Sequence, residues 1–234
     1  LVRTKIVHYS SLCYFPLTYL AALQLQGAWE QRTRFGWSRY LIAWVGGMVA
    51  VVFIVVPFIG QRIGMLDPLF ASDPFAQANL QADVPWTGWE CIAGLLLATA
   101  LISSFILNGR ALVRRSIVVL FGGTALFITT TLYFFIARIE GYSQRAAIEF
   151  YEARQGEACY VITKNFKSYA QLFYTRKPPV TDPRAHDEAW LLHGPVDRPV
   201  YVVCKITSID EVSAIPTLHE IGRKNGFVFF QREP

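Results

Sequence analysis

Residues 40–59 read YLIAWVGGMVAVVFIVVPFI, a run without a single charged side chain. At 1.5 Å rise per residue, a helix of about 20 residues spans roughly 30 Å, the hydrocarbon thickness of a bilayer. A helix packed in a soluble bundle shows polar positions every three or four residues, and this stretch shows none. Working outward, the same character recurs in Cys91–Leu107 and Ile117–Ile136. It recurs more weakly from Val7 to Leu25, which contains Ser10, Ser11, Pro16 and Thr18. Because lipid cannot hydrogen-bond a bare backbone, apolar runs of this length form helices. The expected fold class is therefore a membrane all-α region of four transmembrane helices (about 7–25, 40–59, 91–107 and 117–136) followed by a small soluble α/β domain. Trp37, Tyr40, Trp86, Trp89 and Tyr133 sit near the ends of these runs, where interfacial anchors belong.

Composition agrees. The 234 residues are 53% hydrophobic and only 17% charged, against about 25% charged in ordinary soluble domains. The charge is divided unevenly: residues 1–138 hold ten Lys/Arg and five Asp/Glu, residues 139–234 twelve of each. The net +5 thus belongs to the apolar part, where it bears on orientation. No basic stripe interleaved with stacking aromatics is present, so nucleic acid is not an expected partner.

Arg32, Arg34 and Arg39 lie between the first two runs, and Arg110, Arg114 and Arg115 between the last two. The intervening segment carries Arg62 against Asp67, Asp73, Asp83 and Glu90. Alternation puts both basic loops on one side, which the positive-inside rule makes cytoplasmic. The 62–90 loop and residues 139–234 are then expected outside, periplasmic in a bacterial inner membrane. Two domains follow: a transmembrane region over 1–138 and an extracytoplasmic α/β domain over 139–234.

Beyond Arg138 the pattern changes to short alternating elements. Helices are expected over Ser143–Arg154, Ser168–Tyr174 and Ile209–Ala214, and strands over Ala158–Thr163 and Val200–Ile206. Leu218–Gly222 and Phe227–Gln231 are expected to form a hairpin around Asn225–Gly226, a favoured turn pair. Of four cysteines, Cys13 and Cys91 fall in apolar helices. Cys159 and Cys204 fall in core strands, where buried free thiols are favoured over a disulfide. No CxxC, HExxH, GxSxG or phosphate-binding glycine loop occurs. Adjacent His186, Asp187 and Glu188 read as loop charges, as do Asp67, Asp73 and Asp83 in their own loop.

The stretch Thr4-Lys5-Ile6-Val7-His8-Tyr9-Ser10-Ser11-Leu12-Cys13-Tyr14-Phe15-Pro16 places a lysine, a histidine and two tyrosines at the mouth of the first run. Ionisable groups at that depth are costly and usually functional. Lys5 and His8 are three apart and share a helix face, with Tyr9 beside it. A cation with phenol and imidazole donors suits a phosphate at the membrane surface. A snorkelling lysine with a belt of tyrosines accounts for the same residues equally well.

The arrangement of Lys5, Tyr9 and Pro16 at the start of a span resembles the polyprenyl-phosphate-dependent glycosyltransferases of the GT-C superfamily. Within it the bacterial aminoarabinose-transferase and protein O-mannosyltransferase-like group is most similar. Phe166-Lys167-Ser168-Tyr169-Ala170-Gln171-Leu172-Phe173-Tyr174 resembles a soluble-domain helix of related sequences. The resemblance implies a transferase moving a sugar from a polyprenyl-phosphate donor to a glycan, lipid or protein acceptor in the membrane. It assigns lipid-phosphate binding to Lys5, His8, Tyr9 and Tyr14. It implies no fixed cofactor, leaves room for a divalent metal, and places the catalytic acid in a first outer loop outside this sequence. The chain begins at Leu1, without Met or a signal peptide, and is expected to be the C-terminal part of a longer enzyme, inactive alone. The alternative is a non-enzymatic membrane protein presenting an extracytoplasmic sensing or assembly domain.

Overall fold

The computed structural model describes residues 12–33, 35–177 and 183–234. Three of its helices are long and apolar enough to cross a membrane: α2 (Ser38–Gly60), α4 (Cys91–Gly109) and α5 (Val113–Ser143). Each covers one of the expected apolar runs, and the chain is a membrane protein. A further helix, α1 (Tyr14–Trp29), has 16 residues. The beginning of the first expected span lies outside the described residues, so three spans rather than four are seen among those described. Short elements follow α2: a 3-10 helix over Ile63–Leu69 and α3 (Pro74–Leu80).

The chain divides into two compact units. One comprises the chain up to Phe58 together with Thr87–Phe134; the other comprises Ile59–Trp86 and Phe135–Pro234. In the first, α2, α4 and α5 meet through small residues. A Cβ on Gly94 would lie 2.6 Å from the Ala50 carbonyl oxygen, and one on Gly46 would lie 2.8 Å from Leu101 Cδ1. Close approach through glycine is the usual way for helices to associate in lipid, where there is no hydrophobic drive between them. Ser104 and Ser116 hydrogen-bond at 2.9 Å in the buried contact between α4 and α5. Outward positions are large and apolar: Trp44 is 66% and Met48 54% exposed. That surface is suited to lipid and not to water.

The second unit is built on a mixed four-stranded sheet. The elements after α5 are α6 (Arg145–Glu152), β1 (Tyr160–Lys164), α7 (Ala170–Tyr174), α8 (Glu188–His193), β2 (Val200–Lys205), α9 (Ile209–Ser213), β3 (His219–Lys224) and β4 (Phe227–Arg232). Strand order is β1-β2-β4-β3, with β1 parallel to β2 and the other pairs antiparallel. Alternation along β2 and β4 makes two cores. Val200, Val202, Cys204, Val228 and Phe230 face one side, against Leu191 and Leu192 of α8 and Val212 of α9. Val203, Phe227 and Phe229 face the other, against Ala146, Ala147 and Tyr151 of α6. Both faces are covered, as a period of two with apolar residues at every position requires.

Three local expectations need adjustment. Ser143 does not cap a helix, because α5 runs on to Ser143 as its last residue; 31 residues make a helix about 46 Å long, more than a bilayer core needs. α6 begins at Arg145 with Gln144 before it and no side-chain cap. α8 was not expected at all. The Asn225–Gly226 turn is as expected, with Asn225 at φ 51°. Cys159 and Cys204 are both buried free thiols. Tyr160 pairs with Val200 and Lys164 with Cys204, so the two cysteines are separated by about 16 Å along the strands. Disulfides need Cα atoms within about 7 Å.

Candidate functional site

Of the residues assigned to a lipid phosphate, Lys5, His8 and Tyr9 lie outside the described residues. Tyr14 opens α1 with its side chain half exposed, and its hydroxyl has no hydrogen-bond partner among the described residues. Pro16 falls in the first turn, where a missing N–H costs nothing. Thr18 Oγ1 donates to the Tyr14 carbonyl at 2.7 Å and to that of Phe15 at 3.0 Å.

The acidic residues are mostly occupied with structure. Asp73 caps α3, its carboxylate accepting from the N–H groups of Phe75 and Ala76 at 3.0 Å each. Asp187 caps α8 through the Ala189 N–H at 2.9 Å. Its neighbour Glu188 pairs with Lys164. Glu90 is fully buried and accepts from Thr87 N–H at 3.3 Å, Thr87 Oγ1–H at 3.0 Å and Gly88 N–H at 2.8 Å. The Thr87-Gly88-Trp89-Glu90 spacing is that of a capping box ahead of α4, a signal in plain view that reading Glu90 as loop charge overlooked. Among the described residues, no group of three or more His, Cys, Asp or Glu could hold a metal.

Among the cavities of the two units, two have linings that bear on function. In the first, a groove of about 310 Å³ runs along α1, α2, α4 and α5, walled by Leu25, Ile42, Leu101, Phe105, Leu120 and Phe121. Arg39 closes part of it, its guanidinium 4.6 Å from the Tyr40 ring centre and 5.7 Å from that of Phe105. Arg39 also donates to the Tyr40 hydroxyl at 2.8 Å. The lining suits an apolar chain.

In the α/β unit, a cavity of about 460 Å³ lies among α3, the end of α5, α6, the 166–170 turn and the end of β2. Phe75, Phe166 and Phe227 form its wall, in edge-on and tilted contact at 5.3 and 6.0 Å. Lys167 and Lys205 line it, and no acidic side chain does among the described residues. Lys205 Nζ stands 4.5 Å from the ring centre of Phe75 and 5.7 Å from that of Phe166. Asn79 Oδ1 accepts from the Gly226 N–H at 3.3 Å, and burial raises the Tyr151 phenol above its ordinary range. Sequence reading missed Lys205, Asn79 and Phe75, because only the fold brings positions 75, 166, 205 and 227 together.

The sequence matches no family model and no curated protein. Two crystal structures of ArnT from Cupriavidus metallidurans are similar to the chain. The apo structure gives a TM-score of 0.45 at 13% identity, over 81% of this chain and 36% of that one. The structure bound to undecaprenyl phosphate gives 0.43 at 14% identity, over 76% of this chain and 36% of that one. The chain therefore spans about a third of the length of either of these solved proteins.

Proposed function

We propose that the chain is the C-terminal part of a membrane glycosyltransferase that moves a sugar from a polyprenyl-phosphate carrier to a glycan, lipid or protein acceptor on the outer face. The observation that carries the reading is one of composition within a single chain. Membrane-length helices with an apolar groove along them continue, through α5, into an α/β unit whose own cavity sets Lys167 and Lys205 against an aromatic wall. A reaction between a membrane-borne donor and a polar acceptor needs both environments: an apolar wall for the isoprenoid, and a cavity where aromatic faces and a few polar groups can hold a sugar. The resemblance of the Lys5–Pro16 stretch to the GT-C group supports the same reading.

In this proposal Lys5, His8, Tyr9 and Tyr14 hold the carrier phosphate at the outer leaflet. Both basic loops are cytoplasmic, and 139–234 is an outer domain. The catalytic acid is supplied elsewhere in the protein. The reaction is displacement at the anomeric carbon, with a carboxylate orienting the acceptor or taking its proton. The test is Lys5→Ala in the intact protein, with binding of a polyprenyl-phosphate sugar as readout. Donor affinity should fall by about tenfold, as expected for loss of one charge-assisted contact to phosphate. Unchanged affinity removes Lys5 from the site. Failure to transfer from any polyprenyl-phosphate sugar favours the sensing or assembly alternative.

A further inference from the structure

Lys205 ends β2, opposite Phe227 of β4 in the ladder. Its ammonium group rests over the faces of Phe75 and Phe166 and makes no ion pair with any described residue. An ammonium has three hydrogens to donate and no acceptor capacity; aromatic faces attract it but accept none of those hydrogens in the strong sense. Lys167 adds a second positive charge to the same cavity, whose described lining residues include no carboxylate. Elsewhere in the unit lysines do find acids: Lys164 pairs with Glu188 and Lys224 with Glu149. Lys177 donates to the Cys159 carbonyl, whereas the two cavity lysines have neither an acid nor a carbonyl among the described residues.

The rest of the lining is equally one-sided. Asn79 is buried and gives its oxygen to Gly226 N–H, which turns its amide hydrogens away from that bond. Tyr151 has no exposed surface, and its hydroxyl finds no partner among the described residues. Burial keeps that phenol protonated, so it remains a donor. The aromatic rings meet edge-on and tilted; no parallel pair is available to sandwich a planar base. Tilted rings beside donors suit a saturated ring, whose C–H face packs on an arene while its hydroxyls reach outward.

We propose that this cavity binds an anionic sugar, a pyranose bearing a carboxylate or a phosphate, with Lys205 as the principal counter-ion and Phe75 and Phe166 as the apolar wall. Lys167 reinforces the charge, and Asn79 contributes amide hydrogens. A free saccharide and a glycolipid headgroup both present such an acid; the recognition chemistry is shared. Within the proposed transferase the site would anchor the acceptor, and that role alone rests on the proposed function. Binding itself is independent of transfer.

The experiment uses the full-length protein in nanodiscs of phosphatidylcholine, without any donor, and measures binding of glucuronate, glucose 6-phosphate, glucose and inorganic phosphate by equilibrium dialysis. Glucuronate and glucose 6-phosphate should bind about tenfold or more tightly than glucose, the scale of one charge-assisted contact. Both should also bind more tightly than inorganic phosphate, which cannot use the aromatic wall. Lys205→Met should weaken both anionic sugars by about tenfold, whereas Lys205→Arg, which keeps the charge, should retain them. Glucose binding as well as glucuronate, or Lys205→Met leaving affinity unchanged, overturns the proposal. So does loss of binding that Lys205→Arg fails to restore, because the charge would then not be what matters. Adding glucuronosyl diacylglycerol to the nanodiscs identifies the source. Displacement of free glucuronate means that the site accepts the lipid-borne sugar; no displacement means that it is reserved for the soluble one. Transfer activity plays no part in these readings, so an inactive protein that binds glucuronate refutes the transferase and leaves this site standing.

Discussion

Cys204 lies in the middle of the sheet with no exposed surface, and burial pushes its thiol up to about 11 from the ordinary 9.0, with Glu220 adding to the rise. A raised thiol pKa means that the folded chain holds its proton after the unfolded chain has lost it. Between pH 9 and 11 the unfolded state binds fewer protons, so stability falls as pH rises through that window and is intact below it. The loss attributable to Cys204 is of order 1–3 kcal/mol. Comparing denaturant midpoints of wild type and Cys204→Ala across that range should show a shallower decline in the variant. Maleimide should label Cys159 and Cys204 only on unfolding, as free thiols. At this scale the sequence was readable where a residue acts on its own neighbours. Asp73 before Pro74 and Thr87 three before Glu90 carry local capping signals. Lys205 carries none, because its aromatic partners Phe75 and Phe166 come from distant parts of the chain.

Helices and strands were legible wherever a period ran uninterrupted. Twenty uncharged residues announce α2, and apolar β-branched residues announce β2. The boundary between α5 and the α/β unit was not legible: Ser143 has the chemistry of an N-cap, yet it is the last residue of α5, since neither Arg138 nor Glu140 opposes helix formation ahead of it. Packing among the long helices depends on glycines whose role shows only when the partner backbone is in place. Gly94→Leu drives a side chain into the Ala50 carbonyl and Ile54, both already within 2.7 Å of a notional Cβ. It should cost about 1–3 kcal/mol or more, on the scale of core overpacking. The check is the loss of folded protein on detergent titration. Gly47→Leu, with open space at the same point, should be tolerated. Removing the Glu90 side chain orphans three donors at the entry to α4. Glu90→Ala should therefore cost about 1–3 kcal/mol, read in the same assay.

For the molecule as a whole, the expected division at residue 138 follows composition, whereas the compact units follow contact. Ile59–Trp86, between two apolar helices in sequence, packs with Phe135–Pro234. Phe75 meets Phe227 edge-on at 5.3 Å, and Trp86 Nε1–H donates to the Tyr142 hydroxyl at 3.0 Å. No local pattern could reveal this, because hydrophobic periodicity reports which face is buried and never against what. The proposed orientation has a direct check: a cysteine in place of His186, exposed at the end of the 3-10 helix Pro183–His186, should react with impermeant maleimide in intact cells, and reaction only after permeabilisation refutes it. Phe75→Ala should destabilise the α/β unit by about 2 kcal/mol, given partial burial of the ring. Faster amide exchange in β4 would register that loss, although position 75 lies outside the unit's main run of sequence.

The bond between Asn79 and Gly226 joins residues 147 apart, and the helices α4 and α5 are threaded between them. Two crossings return a chain to the side it left, so the contact fixes an even number of crossings between positions 79 and 226. It also imposes a schedule on synthesis. At about 5–20 residues per second, α3 waits roughly 7–30 s, with Phe75 uncovered, before β4 exists to receive it.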